Sequence, residues 1–241
     1  MTSDPLFTGP ELCRFEAHEV VSLLKKGEIS TAELIDAALV RISQTGPMIN
    51  ATPTLCEARA RAVQLSNRDS TAAGWLAGLP ITIKDLNAVS NVRTTFGTKG
   101  LADFIPQKSD PLVDQLEQQG AVILGKSNTP EFGAGGNTFN EVFGQTRNPW
   151  NTTLNPGGSS GGAAASLAAG EIWLSHGSDH GGSLRTPAAY CGIVGLRPSP
   201  GISGGPGQDT AFIIDGVQGP MARSARDCAL LLDAMSGFDP Q

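Results

Sequence analysis

Residues 155–170, NPGGSSGGAAASLAAG, set two serines among glycines, a pattern with three chemical uses besides that of a flexible linker. Glycine-rich turns cradle phosphates, present an esterase nucleophile, or hold serines for amide cleavage without a histidine. Two other segments bear on the choice. GAVILGKS (120–127) has the phosphate-loop spacing G-x-x-x-x-G-K-[ST], and GLPITIKDL (78–86) sets a Lys-Asp pair into an apolar run.

The phosphate loop fails on its own mechanics. It needs a strand before the first glycine and a helix starting at the lysine, so that backbone N–H groups converge on the anion. Here Ala121 to Leu124 are themselves strand-like, and Pro130 follows Ser127 too closely for a helix opening at Lys126. The esterase turn G-x-S-x-G occurs around Ser159, Ser160 and Ser203, as glycine-rich sequence makes it by chance. Its triad also needs an acid and then a histidine on separate later loops. Downstream of Ser159 stand only His176 and His180, and His180 adjoins Asp179. The linker reading fails because residues 163–170 carry five alanines and a leucine, a helix-forming run with IWL directly behind it.

Amide cleavage without metal or histidine needs a nucleophile, a base, a proton route to the leaving amine, and donors for the oxyanion. A lysine is a base only when neutral, and burial favours the neutral form. Lys84, inside an apolar strand, is a candidate for that burial; the bland alternative is a surface lysine paired with Asp85.

The elements that must position these residues alternate between helix and strand. FEAHEVVSLLKKG (15–27) has helical spacing and stops at Gly27; Ser30 and Glu33 form a capping box before AELIDAALVRIS; EARARAVQLSNR (57–68) predicts a third helix. Strands are predicted at 78–86, over AVILG (121–125), before Asp179, and over CGIVGLRPS (191–199). DPLVDQLEQQG (110–120) predicts a helix capped by Asp110 with Pro111 in its first turn, and RSARDCALLLDAMSG (223–237) a final amphipathic helix. The pattern predicts an α/β protein built as one domain over 1–241, with a helical region at 1–70 and a catalytic core at 78–237.

Composition narrows the partners. The net charge is −6 and no Lys/Arg cluster stands out, which disfavours nucleic acid. No stretch approaches a membrane span, and the N-terminus lacks a basic start with an apolar run, so a cytoplasmic location is expected. Cys13, Cys56, Cys191 and Cys228 form no C-x-x-C pair and read as reduced thiols; no metal or organic cofactor is implied.

In order along the chain, GLPITIKDL, GAVILGKSNTPEF, NPGGSSGGAAASLAAG with HGSDHGGSLRTPAAYCGIVGLRPS, and QGPMARSARDCALLLDAMSG resemble the amidase signature family of serine hydrolases. The resemblance implies a mixed β-sheet covered by helices. It implies Lys84 as base, Ser159 as bridging serine after a cis peptide bond, and Ser183 as nucleophile. It implies an oxyanion hole from the N–H groups of His180, Gly181, Gly182 and Ser183. Ser160 is expected to support the site, and Asp179 with Arg185 to brace the loop. The substrate would be a small-molecule amide, attacked to give an acyl-serine. The resemblance also implies a longer fold, with further strands and much of the acyl pocket beyond residue 241. Self-association or a missing C-terminal half is therefore expected, and a non-catalytic chain is an alternative. One family branch transamidates glutamyl-tRNA and usually carries an Asp-Gln pair before GPM; TAFIIDGVQGPMARS (210–224) looks more like a free-standing amidase.

Overall fold

The computed structural model describes residues 8–65, 71–203 and 215–237. Its N-terminal helices begin where local chemistry satisfies their free N–H groups. α1 (Ala17–Lys26) opens on Glu16, whose N–H donates to the Glu19 carboxylate at 2.9 Å, and ends at Gly27 with φ 69°. α2 (Thr31–Ile49) opens on the Ser30–Glu33 capping box. It runs past the expected Ser43 and through Pro47, because Thr45 and Ile49 continue its buried face. α3 (Glu57–Ala62) is shorter than the predicted 57–68: the chain turns extended at Val63, and residues 66–68 lie outside the described residues.

Among the described residues, six strands form one mixed sheet in the order β1-β3-β2-β6-β8-β7. At its centre, β2 (Pro80–Lys84) runs parallel to β3 (Val122–Ser127) on one side and to β6 (Leu174–Asp179) on the other. β1 (Thr54–Leu55) pairs antiparallel with β3, and β8 (Val217–Ala222) lies antiparallel between β6 and β7 (Val194–Gly195). A separate hairpin joins β4 (Phe139–Asn140) to β5 (Gly144–Gln145). β3 includes Lys126 and Ser127, so the G-x-x-x-x-G-K-S segment is strand where a phosphate loop would turn.

The predicted buried strand over 191–199 is reduced to β7, two half-buried residues at the sheet edge. Cys191 instead closes α6 (Arg185–Cys191), and Gly192 ends that helix with φ 68°. α4 (Pro111–Gln118) starts at Pro111 as predicted, but the Asp110 carboxylate does not cap it. That carboxylate accepts the Asn87 amide at 3.0 Å and the Ala88 N–H at 3.1 Å, tying the helix entry to the chain just after β2. α5 (Gly161–Ala168) packs against β2, β3, β6 and β8, while α7 (Ala225–Met235) packs against β8 and α4. One apolar cluster runs from Cys13 through the central strands to Met235.

Candidate active site

All five residues of β2 are buried, and Lys84 at its C-terminal end is 0% exposed. Its Nζ lies 2.7 Å from Ser159 Oγ, 2.9 Å from Ser160 Oγ and 3.0 Å from Ser178 Oγ. The surface pair with Asp85 does not form. Asp85 instead accepts Lys126 Nζ at 3.1 Å and Thr95 Oγ1 at 2.6 Å, and Lys126 spends its other bonds on Asn87 O and Thr94 Oγ1. Among the described residues Lys84 therefore contacts hydroxyls and no carboxylate. Burial pushes its amine down to about 7, against a smaller opposing pull from the charge of Asp179.

The serines reach Lys84 through two close approaches of backbone. Ser160 is the N-cap of α5, yet its side chain makes no cap bond and turns to the lysine. The Gly158–Ser159 peptide is cis. A Cβ on Gly162 would fall 2.3 Å from Asn128 N, so only glycine lets the first turn of α5 sit this close to the end of β3. A Cβ on Gly177 would fall 2.9 Å from Ser160 Oγ; its absence admits that hydroxyl to β6. There Ser160 donates to Ser178 O at 3.2 Å and accepts the Ser178 N–H at 3.3 Å.

The Ser160 N–H donates to Ser183 O at 3.2 Å, which brings the second serine segment against the first. Ser183 is half-buried, and its hydroxyl has no hydrogen bond among the described residues. The turn that carries it is organised by Asp179. The Asp179 carboxylate accepts the N–H groups of Gly182 at 2.8 Å and Leu184 at 3.1 Å, and a two-pronged contact from Arg185 at 3.1 Å. Arg197 donates to the same carboxylate at 3.2 Å and to the Asp179 carbonyl. Burial alone would raise the Asp179 pKa, but the Arg185 guanidinium and the two N–H groups outweigh it and hold the acid well below its usual range. The Gly182 N–H is thus already engaged, whereas those of His180, Gly181 and Ser183 have no acceptor among the described residues.

No histidine side chain is hydrogen-bonded to a serine side chain among the described residues. His18 contacts Asp227, His180 is exposed, and His176 is buried with Nε2 2.7 Å from Gln218 Oε1. Burial pushes the His176 imidazole down to about 3, with Gln218 opposing and the Lys84 and Lys126 charges adding. Sequence reasoning missed Ser178, Lys126, Arg197 and the His176–Gln218 pair. For Lys126 and His176 a usable signal existed, the one that singled out Lys84: a charged or polar residue inside a buried strand.

The profile of the amidase family matches residues 33–241. The chain belongs to the amidase family. Among curated relatives, the A-type subunit of the glutamyl-tRNA(Gln) amidotransferase of Roseiflexus sp. (strain RS-1) is 45% identical over 221 residues, covering 90% of this chain and 45% of the relative. Among solved structures, 6-aminohexanoate cyclic dimer hydrolase in complex with substrate superposes with a TM-score of 0.85 at 36% identity, covering 96% of this chain and 48% of the other. A bacterial aryl acylamidase of the amidase signature family gives 0.84 at 34%, covering 93% and 48%. This amidase-family chain spans about half the length of the proteins it matches.

Proposed function

We propose that the chain carries the Lys84–Ser159–Ser183 machinery of a serine amidase acting on a small-molecule amide. The observation that carries the reading is the fully buried Lys84 amine among three hydroxyls. A neutral amine has two N–H groups and one lone pair, so one of the three hydroxyls must donate to it. Ser160 already donates to Ser178 O. The hydroxyls of Ser159 and Ser178 have no other acceptor among the described residues, and Ser159 is the nearer, at 2.7 Å against 3.0 Å, so we assign it as the donor to Nζ.

In this reading Ser159 relays the Ser183 proton to Lys84 as Ser183 Oγ attacks the amide carbon. The uncommitted N–H groups of His180, Gly181 and Ser183 face the oxyanion; that of Gly182 joins only if Asp179 releases it. The C–N bond then breaks, the relay returns the proton to the departing amine, and an acyl-serine remains. Water reverses the path to release the acid.

The test is intact-protein mass spectrometry after a fluorophosphonate probe. One adduct on the wild type, absent in Ser183→Ala, supports the assignment; equal labelling of Ser183→Ala sinks it. No adduct on a folded chain supports the non-catalytic alternative. A second reading, the A-type component of a glutamyl-tRNA amidotransferase, draws on the 45% identity to that relative. Ammonia release from glutamine, set against cleavage of aryl anilides by the same preparation, separates the two.

A further inference from the structure

β2 and β6 run parallel but part early. Their register ends at Thr82↔Ser175, whereas β2 stays paired with β3 to Lys84↔Ser127 and β6 stays paired with β8 to Asp179↔Val217. The next donor on that edge of β2 is the Lys84 N–H, because donors alternate sides along a parallel strand and Asp85 donates to Ser127 O on the β3 side. The Lys84 N–H goes to the imidazole of His176, with Nδ1 3.4 Å away. An Nδ1 that accepts is unprotonated, so Nε2 carries the hydrogen and donates it to Gln218 Oε1 at 2.7 Å. The imidazole thus takes the place of a ladder rung and bridges three strands, in the gap where β2 and β6 separate beside the serines.

We propose that His176 is a positioning residue, a neutral wedge that holds β2 and β6 apart and fixes the Lys84 backbone so that its amine meets Ser159. The inference rests on the reading of Lys84 as the base. Burial keeps the ring neutral, and the Lys126 charge, with that of Lys84 whenever its amine is protonated, opposes a second proton. Gln218 accepts the Nε2 hydrogen from the far strand.

Two variants separate positioning from space filling. His176→Leu keeps most of the volume and removes both hydrogen bonds. His176→Asn is smaller, but its Oδ1 stands where Nδ1 does and still accepts the Lys84 N–H. The fluorophosphonate labelling rate of Ser183 is expected to fall at least tenfold in His176→Leu and to stay within about threefold of wild type in His176→Asn. A ring that only fills space predicts the reverse order, and that result overturns the proposal. Nitrogen-15 NMR of the wild-type imidazole gives a second readout that does not depend on catalysis. It is expected to show the neutral Nε2–H tautomer from pH 5 to pH 9; titration in that window, or the other tautomer, also overturns it. If His176→Leu fails to fold, Gln218→Leu is expected to keep the Nε2–H tautomer, because the Lys84 N–H still donates to Nδ1, and a shift to the Nδ1–H tautomer overturns the proposal. Absence of any wild-type adduct defeats the proposed function instead, and the imidazole spectrum still decides the hydrogen bonds.

Discussion

Lys84 as an ammonium has three protons for three hydroxyls, an arrangement with no acceptor for a proton leaving Ser159. Under the proposed mechanism only the neutral amine is a base, so the pH at which Lys84 loses its proton is expected to set the pH at which Ser183 reacts. Burial brings that point from 10.5 down to about 7. The neutral form exists above the pKa, so reactivity rises with pH. The fluorophosphonate labelling rate is expected to climb through a midpoint near 7 and level off above it. A midpoint near 10 would mean that the amine is solvated and the buried geometry does not describe the reactive state. Lys84→Met is expected to lower the plateau by at least a hundredfold, in the range that a positioned general base contributes.

At the scale of elements, the site depends on how closely α5 approaches the sheet. A glycine inside a helix ordinarily costs about 1 kcal/mol relative to alanine, so Gly162→Ala would stabilise an isolated helix. Here the added Cβ meets Asn128 N at 2.3 Å and Ala51 O at 2.7 Å, and backbone cannot swing aside. The expected sign is therefore inverted: a loss of about 1–3 kcal/mol in urea unfolding, with slower labelling because Ser159 and Ser160 ride on that turn. A variant more stable than wild type would refute the close approach. The same helix shows what was legible in the sequence. Its small residues, the capping box of α2 and the apolar run of β2 are local patterns, and each points to the right element. The pairing of Asp85 is not local: its neighbour Lys84 turns away, and its partner Lys126 lies 41 residues on, brought alongside by the register Ile83↔Lys126. β7 escapes a local reading for a similar reason. Its apolar letters match a buried strand, but α6 consumes Cys191 and the sheet ends there.

Across the whole molecule, buried ionisable groups tie together segments far apart in the chain, and they give its stability a pH dependence of mixed sign. Asp227 on α7 accepts the N–H groups of Ala17 and His18, and Glu171 reaches Thr45 at 2.5 Å and Thr52 at 3.4 Å. Burial raises the Glu171 carboxyl from 4.5 to about 7, against the two threonine hydroxyls and Arg41. A group whose pKa is higher folded than unfolded gives a stability that is complete below the unfolded value and lost as pH rises through the folded one. Glu171 thus weakens the fold between pH 4.5 and about 7. His176 works in the opposite direction: its folded pKa is depressed from 6.5 to about 3, so its burial weakens the fold as pH falls through that window. The two slopes offset each other in the wild type, and a single stability curve hides both. The difference between Glu171→Gln and wild type isolates one of them, because every other group titrates alike in the two proteins. The variant is expected to gain about 1–3 kcal/mol on the wild type between pH 4.5 and pH 7.5, read from denaturant unfolding at both ends. A difference that stays constant across that range would show that Glu171 is ionised and solvated in the folded chain.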